Sequence, residues 1–310
     1  MEEYDIIIIG AGPAGMSAAL YARRANKKVL ILEACTYGGK ITKAHLIENY
    51  LGIESITGID YANALYNQVT KLGAIIKYET VKRIDEDYTV TTNKSKYIGK
   101  AIIIATGADN KKLGIAKEQH YLGKGLSYCA TCDGAFFKGE DVAIVGGGDT
   151  ALEDAIYLSD IANKVYLIHR RDEFKAQDTF IEEVKKKDNI IIKYNSVVKE
   201  LEGDDMLESI LIDENGVETR LNVSGIFIAV GLTPSNDIFS NIIDLDELGY
   251  IISEDGVHTS KEKIYVAGDA RVKNLRQLAT AVSDGANAAT TAIMEMKGWY
   301  YGNRNKRKWI

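Results

Sequence analysis

The sequence predicts an α/β protein of two similar domains, the second inserted in the first. A strand, a glycine-rich turn and a helix occur twice, over Tyr4 to Ala25 and over Asp141 to Ile161. Each copy later returns to an apolar strand that ends in small residues, Ala101 to Ala108 in the first and Gly225 to Leu232 in the second. A chain of 310 residues also has the length of roughly two domains.

The first copy begins with Tyr4 to Ile9, an apolar run typical of a buried strand. It leads into Gly10-Ala11-Gly12-Pro13-Ala14-Gly15, and the helical stretch Met16 to Ala25 follows. A second strand, Lys28 to Leu32, then ends at Glu33. This order fits the roughly 30 residues of a strand-helix-strand unit in a nucleotide-binding fold.

The second copy repeats this order. Asp141 to Val145 leads into Gly146-Gly147-Gly148-Asp149-Thr150-Ala151, which is followed by the helical run Leu152 to Ile161 and the strand Lys164 to Ile168. Matched units of this kind indicate two Rossmann-like domains, each of three layers, two of β-sheet and one of helices.

The remaining segments decide the domain boundaries. Ile75 to Ile98 and Ile190 to Val223 have room for a small antiparallel insertion in each copy. After Leu232 no third glycine unit begins, but Lys263 to Ala267 is a further strand that ends at Gly268-Asp269. We therefore predict a discontinuous first domain of residues 1-112 and 241-310, and a second domain of residues 113-240.

Composition and charge exclude several classes of protein. Hydrophobic residues make up 46% and charged residues 26%, as in an ordinary globular protein, and the net charge of -6 argues against a nucleic-acid partner. An acidic N-terminus runs directly into a strand, and no apolar run approaches the roughly 20 residues of a membrane helix. Three cysteines are too few for a secreted disulfide framework. We expect a cytoplasmic protein with no membrane partner.

The glycine loops predict two dinucleotide sites, because such a turn brings backbone N-H groups and a helix N-terminus to a pyrophosphate. At the end of the second strand the first copy has Glu33, which accepts hydrogen bonds from ribose hydroxyls and repels a 2′-phosphate. The second copy has His169, Arg170 and Arg171 at the matching position, and guanidinium groups bind phosphate. FAD therefore suits the first site and NADP(H) the second. The alternatives are glycine turns that serve packing alone and arginines that are ordinary surface charges.

Cys129 and Cys132 have the spacing of a redox dithiol or of half a zinc site. The other zinc candidates are Cys35 and the scattered histidines at 45, 120, 169 and 258, which offer no second close pair, so we expect no metal site. Asp133 follows the pair and could deliver or take the proton of thiol-disulfide exchange, or could cap a helix. For Cys35 we expect no role beyond filling space.

With these motifs the chain resembles the low-molecular-weight, bacterial-type thioredoxin reductases, flavoproteins with two dinucleotide domains. The resemblance covers nearly the whole length. It rests on the two glycine loops and on these further segments: Glu48-Asn49-Tyr50, Ala105-Thr106-Gly107-Ala108, Cys129-Ala130-Thr131-Cys132-Asp133-Gly134, His169-Arg170-Arg171, Ala267-Gly268-Asp269 and Arg276-Gln277-Leu278.

The resemblance implies two sets of cofactor-binding residues. For FAD they are Gly10, Gly12, Pro13, Ala14, Gly15, Glu33, Gly39, Asn49, Ala105, Thr106, Gly107, Gly268, Asp269, Arg276, Gln277 and Leu278. For NADPH they are Gly146, Gly148, Asp149, Thr150, Ala151, His169, Arg170, Arg171 and Lys175. It also implies a homodimer, with Cys132 facing the flavin and Cys129 attacking the disulfide of thioredoxin or a thioredoxin-like protein.

The implied reaction passes a hydride from NADPH to FAD, reduces the Cys129-Cys132 disulfide, and ends in exchange with the partner disulfide. Asp133 would move the proton of that exchange. One alternative keeps the scaffold but takes electrons from ferredoxin or NADH, or delivers them to another protein disulfide. A second alternative is a non-catalytic flavin redox sensor.

Four residues depart from the usual pattern of that family. Lys40 stands in place of Gln, and Leu51 in place of Pro, and both concern the packing of the flavin. Asp149 replaces Asn or Ser, and Lys175 replaces an Arg, and both concern NADPH affinity. Lysine keeps the charge of arginine but cannot form the paired hydrogen bonds of a guanidinium group with phosphate. The basic C-terminal residues predict a solvated tail or a contact with an acidic partner: Arg304, Lys306, Arg307 and Lys308.

Overall fold

The computed structural model describes residues 1-44 and 46-299. His45 and the basic residues near the C-terminus lie outside the described residues. The chain forms two compact units, one of Met1–Asp109 with Thr233 onward, and one of Asn110–Leu232. The second crossing lies before Thr233 rather than near Ser240, because Phe239 is already buried in the core of the first unit.

The first unit opens with apolar strands and amphipathic helices in the predicted order. Its elements before the first crossing are β1 (Glu2–Ile9), α1 (Pro13–Arg24), β2 (Val29–Glu33), a 3-10 turn (Gly39–Lys43), α2 (Gly58–Lys71), β3 (Ile75–Tyr78), β4 (Val81–Ile84), β5 (Thr89–Thr92), β6 (Lys96–Ile104) and β7 (Ala108–Asn110). Proline in the first turn of α1 needs no N-H partner there, and Thr57 caps α2 by accepting a hydrogen bond from the Asp60 N-H.

The second unit repeats the alternation of strand and helix. Its elements are α3 (Glu118–Tyr121), β8 (Leu126–Ser127), α4 (Ala130–Asp133), a 3-10 turn (Gly134–Phe137), β9 (Asp141–Gly146), α5 (Asp149–Ser159), β10 (Lys164–Ile168), α6 (Asp178–Lys186), β11 (Ile190–Lys193), β12 (Ser196–Glu202), β13 (Ser209–Glu214), β14 (Val217–Asn222) and β15 (Gly225–Ala229).

The chain then returns to the first unit. The elements of this part are β16 (Leu232–Pro234), a 3-10 turn (Asp237–Phe239), β17 (Ile264–Val266), a 3-10 turn (Gly268–Ala270) and α7 (Leu278–Met296). The crossing strands β7 and β16 pair with each other in a separate two-stranded sheet.

The main sheet of the first unit has seven strands in the order β3-β2-β1-β6-β5-β4, with β17 also paired to β6. Ile6 and Ile8 of β1 pack with α1 and α7 on one face, and Ile7 and Ile9 pack on the other face with Phe239. Strands β1, β6 and β17 run parallel, so the segments that follow Ile9, Ile104 and Val266 lie at one edge. This edge carries several of the predicted FAD residues, among them Gly10, Gly12, Thr106 and Asp269.

The second unit has a parallel sheet in the order β11-β10-β9-β15-β8 and an antiparallel sheet of β12, β13 and β14. The predicted antiparallel insertions are therefore too long at their starts. β3 and β11 are parallel edge strands of the main sheets, because each follows a crossover helix, and the antiparallel strands begin after them.

A cluster of His258 and two carboxylates joins the loop before β17 to the end of α7. His258 Nδ1 lies 2.6 Å from Asp255 Oδ2, and His258 Nε2 lies 2.8 Å from Glu295 Oε1. Burial opposes the charged imidazole, but the hydrogen bonds to Glu295 and Asp255 outweigh it and raise the pKa of His258. Burial also opposes the charge of Asp255, yet hydrogen bonds from His258 lower the pKa of Asp255. Asp255, His258 and Glu295 thus form a clamp between this loop and α7.

Over residues 1-44 and 46-299, the helices are too short or too polar to span a bilayer.

Candidate functional site

The first glycine loop joins β1 to α1 and is closely packed on its inner side. A Cβ on Gly10 would lie 2.3 Å from the Ala105 carbonyl oxygen, and one on Gly15 would lie 1.9 Å from the Gly10 carbonyl oxygen. A Cβ on Gly12 would meet no atom within 4 Å. The side of the loop at Gly12 is thus open at the amino end of α1, where phosphate groups bind well.

Glu33 is tied to this loop at the end of β2. Its carboxylate accepts hydrogen bonds from the Ala11 N-H at 2.8 Å and from the Cys35 N-H at 2.9 Å. The two oxygens retain further lone pairs, so they can also accept from ribose hydroxyls. Cys35 is an exposed free cysteine beside this carboxylate.

Asp269 provides a test of whether the first unit fits FAD. Lys40 Nζ lies 3.2 Å from Asp269 Oδ2, whereas Asp269 Oδ1 is buried and has no hydrogen-bond partner among the described residues. A buried carboxylate oxygen without a donor is costly, and a hydroxyl of a bound ligand would satisfy it. Gly39 lies beside Gly12 of the glycine loop, since a Cβ on Gly39 would be 3.3 Å from the Gly12 Cα. The orphaned oxygen and the open Gly12 therefore fit FAD.

Several other predicted FAD residues meet at the same edge. Asn49 Nδ2 donates to Gln277 Oε1 at 3.3 Å, and Gln277 caps α7, whose first residue is Leu278. Arg276 lies with its guanidinium carbon 4.4 Å from the centre of the Tyr250 ring, and its buried Nε has no partner within the described part. Asn49 is thus in contact with Gln277, the chain neighbour of Arg276.

The turn after β6 is hydrogen-bonded to Asn236, a residue distant in the sequence. Thr106 Oγ1 donates to Asn236 Oδ1 at 2.8 Å, and the amide nitrogen of this buried asparagine donates to the Ala270 carbonyl at 2.8 Å. Gly107 has a φ of +73°, which favours glycine. Asn236 thus connects the predicted FAD turn to the loop before α7, a contact that the sequence did not reveal.

Asp284 supports the loop that carries Asp269 and Arg276. This buried residue of α7 accepts from Arg271 Nη2 at 3.0 Å and Nε at 3.1 Å, from Lys273 Nζ at 2.8 Å and from the Gly268 N-H at 3.0 Å. Asp284 was not among the residues predicted from the sequence. The signal that could have found it is an acidic residue on the otherwise apolar face of a long helix.

The second glycine loop joins β9 to α5 and is also closely packed at its first two glycines. A Cβ on Gly146 would lie 2.5 Å from both the Ala151 Cβ and the Ala229 carbonyl oxygen. A Cβ on Gly147 would lie 2.1 Å from the His169 ring. Gly148 is freer, because the nearest atom to a Cβ there would be the Lys175 carbonyl oxygen at 3.7 Å.

His169 lies beneath this loop rather than on the surface. It is 8% exposed, its Nε2 is 2.9 Å from the Glu173 carbonyl oxygen, and its ring contacts Phe174. The next two residues, Arg170 and Arg171, are exposed. His169 therefore supports the loop, while the arginines are free to meet a phosphate; the direct contact of His169 with NADPH stays a prediction.

The segment before α6 is fastened to the second glycine loop. The Lys175 N-H donates to the Gly147 carbonyl at 2.8 Å. Asp149 Oδ1 accepts from the Gln177 N-H at 2.7 Å, and Asp149 Oδ2 accepts from Gln177 Nε2 at 3.2 Å. Asp149 thus uses both oxygens to hold this segment, and the Lys175 side chain remains exposed.

The cysteine pair lies at the start of α4, where Cys129 and Cys132 form a disulfide. Cys129 is half-buried and Cys132 is exposed. Asp133 closes α4, and its Oδ2 accepts a hydrogen bond of 2.5 Å from the Ser127 hydroxyl. The arrangement can exchange electrons as a dithiol and a disulfide, with a carboxyl group beside it. The sequence did not point to Ser127.

A buried glutamate anchors the segment that leads to Cys129. Glu118 accepts from the Tyr128 hydroxyl at 2.6 Å and from the N-H groups of Leu113 and Gly114 at 2.9 Å each. Burial and the hydrogen bond to Glu118 raise the pKa of Tyr128, so its hydroxyl keeps its proton.

Within residues 1-44 and 46-299, no cluster of His, Cys, Asp and Glu side chains is arranged to hold a metal ion.

Known proteins match most of this chain. The pattern of the pyridine nucleotide-disulphide oxidoreductases matches residues 4-285. A thioredoxin reductase of Mycoplasma genitalium is 40% identical over 294 residues, which cover 92% of this chain and 93% of that protein. The crystal structure of thioredoxin reductase from Streptococcus pyogenes is also 40% identical, with a TM-score of 0.91 over 96% of this chain and 99% of that one.

A ferredoxin-flavin thioredoxin reductase from Clostridium acetobutylicum is more distant, at 30% identity and a TM-score of 0.53 over 96% of this chain and 99% of that one. Together the matches confirm the predicted α/β fold with two Rossmann-like domains. The chain belongs to the pyridine nucleotide-disulphide oxidoreductase family and, within it, to the thioredoxin reductases.

Proposed function

We propose that this chain is an NADPH-dependent flavoprotein that reduces the disulfide of thioredoxin. The observation that carries the proposal is the Cys129–Cys132 disulfide, which lies in the same unit as a glycine loop followed by two exposed arginines. The relatives named thioredoxin reductase match this chain over more than nine-tenths of its length, which supports the same activity here.

FAD would be held by the first unit. The loop from Gly10 to Gly15 would take its pyrophosphate, Glu33 its ribose hydroxyls, and the free oxygen of Asp269 a hydroxyl of its ribityl chain. Asn49 and Gln277, which bond each other, would lie nearer the flavin ring. When bound, FAD would supply the two-electron redox chemistry that links the nicotinamide to the disulfide.

NADPH would be held by the second unit. The loop Gly146 to Ala151 suits the pyrophosphate, and Arg170, Arg171 and Lys175 carry exposed positive charge for the 2′-phosphate. This positive charge distinguishes the second unit from the first, where Glu33 occupies the matching position. The positive charge favours binding of NADPH over NADH.

The dithiol would complete the reaction by exchange. Reduction by two electrons and two protons breaks the bond between Cys129 and Cys132. Cys129 gives up its proton and attacks one sulfur of the partner disulfide as a thiolate. The partner's sulfur-sulfur bond breaks, and the other partner sulfur takes up a proton and leaves as a thiol. Cys132 then attacks the Cys129 sulfur, and its thiol proton passes to Asp133 and from there to the second partner sulfur. That sulfur leaves as a thiol, and the Cys129-Cys132 disulfide forms again. Asp133 fits this proton transfer, since it ends the same short helix.

Ferredoxin is the rival electron donor, because one relative is named a ferredoxin-flavin thioredoxin reductase. The intact glycine loop after β9 and the arginine pair argue for a nicotinamide donor in this chain. The proposal also includes a homodimer, which rests on the resemblance to the family, and a cytoplasmic location, which rests on the small number of cysteines.

An anaerobic titration of the purified protein tests the proposal. We expect a yellow protein that releases FAD on heating, whose flavin absorbance is bleached by NADPH at a lower concentration than by NADH, and whose electrons then reduce oxidised thioredoxin. If reduced ferredoxin bleaches the flavin and NADPH does not, NADPH is not the electron donor. If NADPH bleaches the flavin but thioredoxin is not reduced, thioredoxin is not the electron acceptor.

A further inference from the structure

The Ser127 hydroxyl lies at the centre of the dithiol segment. Its Oγ accepts from the Cys129 N-H at 3.0 Å, lies 2.5 Å from Asp133 Oδ2, and lies 3.4 Å from the Cys129 carbonyl oxygen. Ser127 is 4% exposed and ends β8, which pairs with β15 through the neighbour of Ser127, Phe227. The hydroxyl is therefore held by the sheet and not by the short helix that it contacts.

A hydroxyl has one proton to donate and two lone pairs that accept. The Cys129 N-H uses one lone pair, so the proton must go either to Asp133 or to the Cys129 carbonyl. An ionised Asp133 takes it, as the short distance indicates. A protonated Asp133 instead donates to the second lone pair, and the hydroxyl proton then turns to the carbonyl of Cys129.

We propose that Ser127 is a positioning residue for Asp133, and that its hydroxyl turns between the carboxylate and the Cys129 carbonyl whenever Asp133 changes its protonation state. The inference rests on the proposed function, in which Asp133 receives the Cys132 thiol proton and gives it to a leaving thiolate. The proton of Ser127 turns but is not transferred, and no electron moves in this step.

Other titratable groups lie on the elements around α4. Tyr128, bonded to Glu118, precedes the disulfide, and α5, which packs against α4, carries Glu153, Asp154 and Tyr157. The Tyr157 ring lies against Gly134. Burial, with a smaller effect of Glu153, raises the pKa of Asp154 to about 7. Asp154 therefore titrates near neutral pH and provides the matched control.

The test is the pH dependence of alkylation of the dithiol. The holoprotein, with Cys35→Ser as background, is reduced with dithiothreitol and treated with iodoacetamide between about pH 4 and pH 10, and labelling of Cys129 and Cys132 is followed by peptide mass. A carboxyl group that titrates beside a thiol changes the thiolate fraction, so the logarithm of the rate departs from a straight line at that pH.

We expect this break in the wild type and its loss in Asp133→Asn. In Ser127→Ala it should move to higher pH by about one unit, a tenfold change in the acid equilibrium, because the ionised carboxylate has lost a donor. Ser127→Thr, which keeps the hydroxyl, should restore the wild-type position, and Ser127→Gly should match the alanine variant.

Asp154→Asn should leave the break in place. A wild type without a break, a break that follows Asp154, or a break unmoved in the alanine and glycine variants would each overturn the inference. The measurement needs no nucleotide and no thioredoxin, so a failure of the proposed function would be seen separately, in the anaerobic titration.

Discussion

Asp284→Asn tests whether one buried carboxylate holds the loop from Gly268 to Gln277, which carries the predicted FAD residues. Asp284 is 7% exposed and accepts from Arg271 and Lys273, whose side chains are 16% and 5% exposed. Asparagine keeps the shape of the side chain and one acceptor oxygen. It removes the negative charge on which two nearly buried cations depend.

The magnitude follows from this burial. Removing one partner of a buried ion pair costs roughly 3–5 kcal/mol. Arg271 keeps a bond to the Val272 carbonyl, and Lys273 keeps one to Thr280 Oγ1, so we expect the lower end, about 3 kcal/mol. For a domain of this size each kcal/mol lowers the unfolding midpoint by about 2–4 °C, which predicts a fall of about 6–12 °C.

The assay is thermal and urea unfolding followed by circular dichroism, with and without FAD, together with the dissociation constant of FAD. The FAD-loaded protein should lose more stability than the flavin-free protein, because the loop also loses its hold on FAD. Glu86→Gln is the control: Glu86 pairs with Lys261 on the surface of the same unit, and its loss should leave the midpoint unchanged.

A second variant separates charge from packing. Lys273→Met added to Asp284→Asn removes one of the two uncompensated cations, so part of the lost stability should return. A midpoint for Asp284→Asn within about 1 °C of the wild type would refute the reasoning, since the predicted fall is several times larger. A double variant no more stable than the single one would show that the loss was not electrostatic.

Three further predictions concern the two nucleotide sites and the end of α7. Replacing Arg170 and Arg171 by alanine should raise the KM for NADPH at least about tenfold, since a charged hydrogen bond is worth roughly 1.5–3 kcal/mol, and steady-state rates should show the KM for NADH unchanged. Gly12→Val should fill the open side of the first loop, so the purified protein should lack flavin absorbance but keep its circular dichroism spectrum; a full flavin content would contradict the predicted site. His258→Asn should flatten the pH dependence of the unfolding midpoint: the pKa of His258 is raised in the folded state, so its two carboxylate contacts stabilise the wild type fully below about pH 6.5 and are lost as the pH rises through the higher folded-state pKa. An unchanged slope in this variant would rule out the clamp.

Local patterns predicted most of the fold. Apolar runs, glycine turns and helical periods identified both strand-helix-strand units because these signals lie within about 30 residues of one another. They could not assign β3 and β11, since a four-residue apolar strand reads the same in parallel and antiparallel pairing. The partner of each is decided by the helix before it, α2 or α6, which carries the chain across the sheet.

The sequence motifs suggested candidate site residues, but they did not reveal residues whose role depends on contacts formed only in the folded chain. Ser127 and Asp133 are close in the chain, but only the pairing of β8 with β15 shows that the hydroxyl is held by the sheet. Asp284 meets Arg271 only after α7 has turned back on the loop. His169 follows a strand end, and nothing in the sequence tells which side of the loop its ring takes.

The two units use the end of the second strand in different ways, and this difference supports the different ligands proposed for them. In the first, Glu33 reaches the loop through its carboxylate, which stays half-exposed and so presents negative charge beside the open Gly12. In the second, His169 reaches the loop by packing its ring under Gly147. Because the ring is buried, the first exposed side chains after that strand are the arginines that follow it. A phosphorylated ribose would meet repulsion at the first loop and attraction at the second, so the identity of one buried ring helps to set which nucleotide each unit can take.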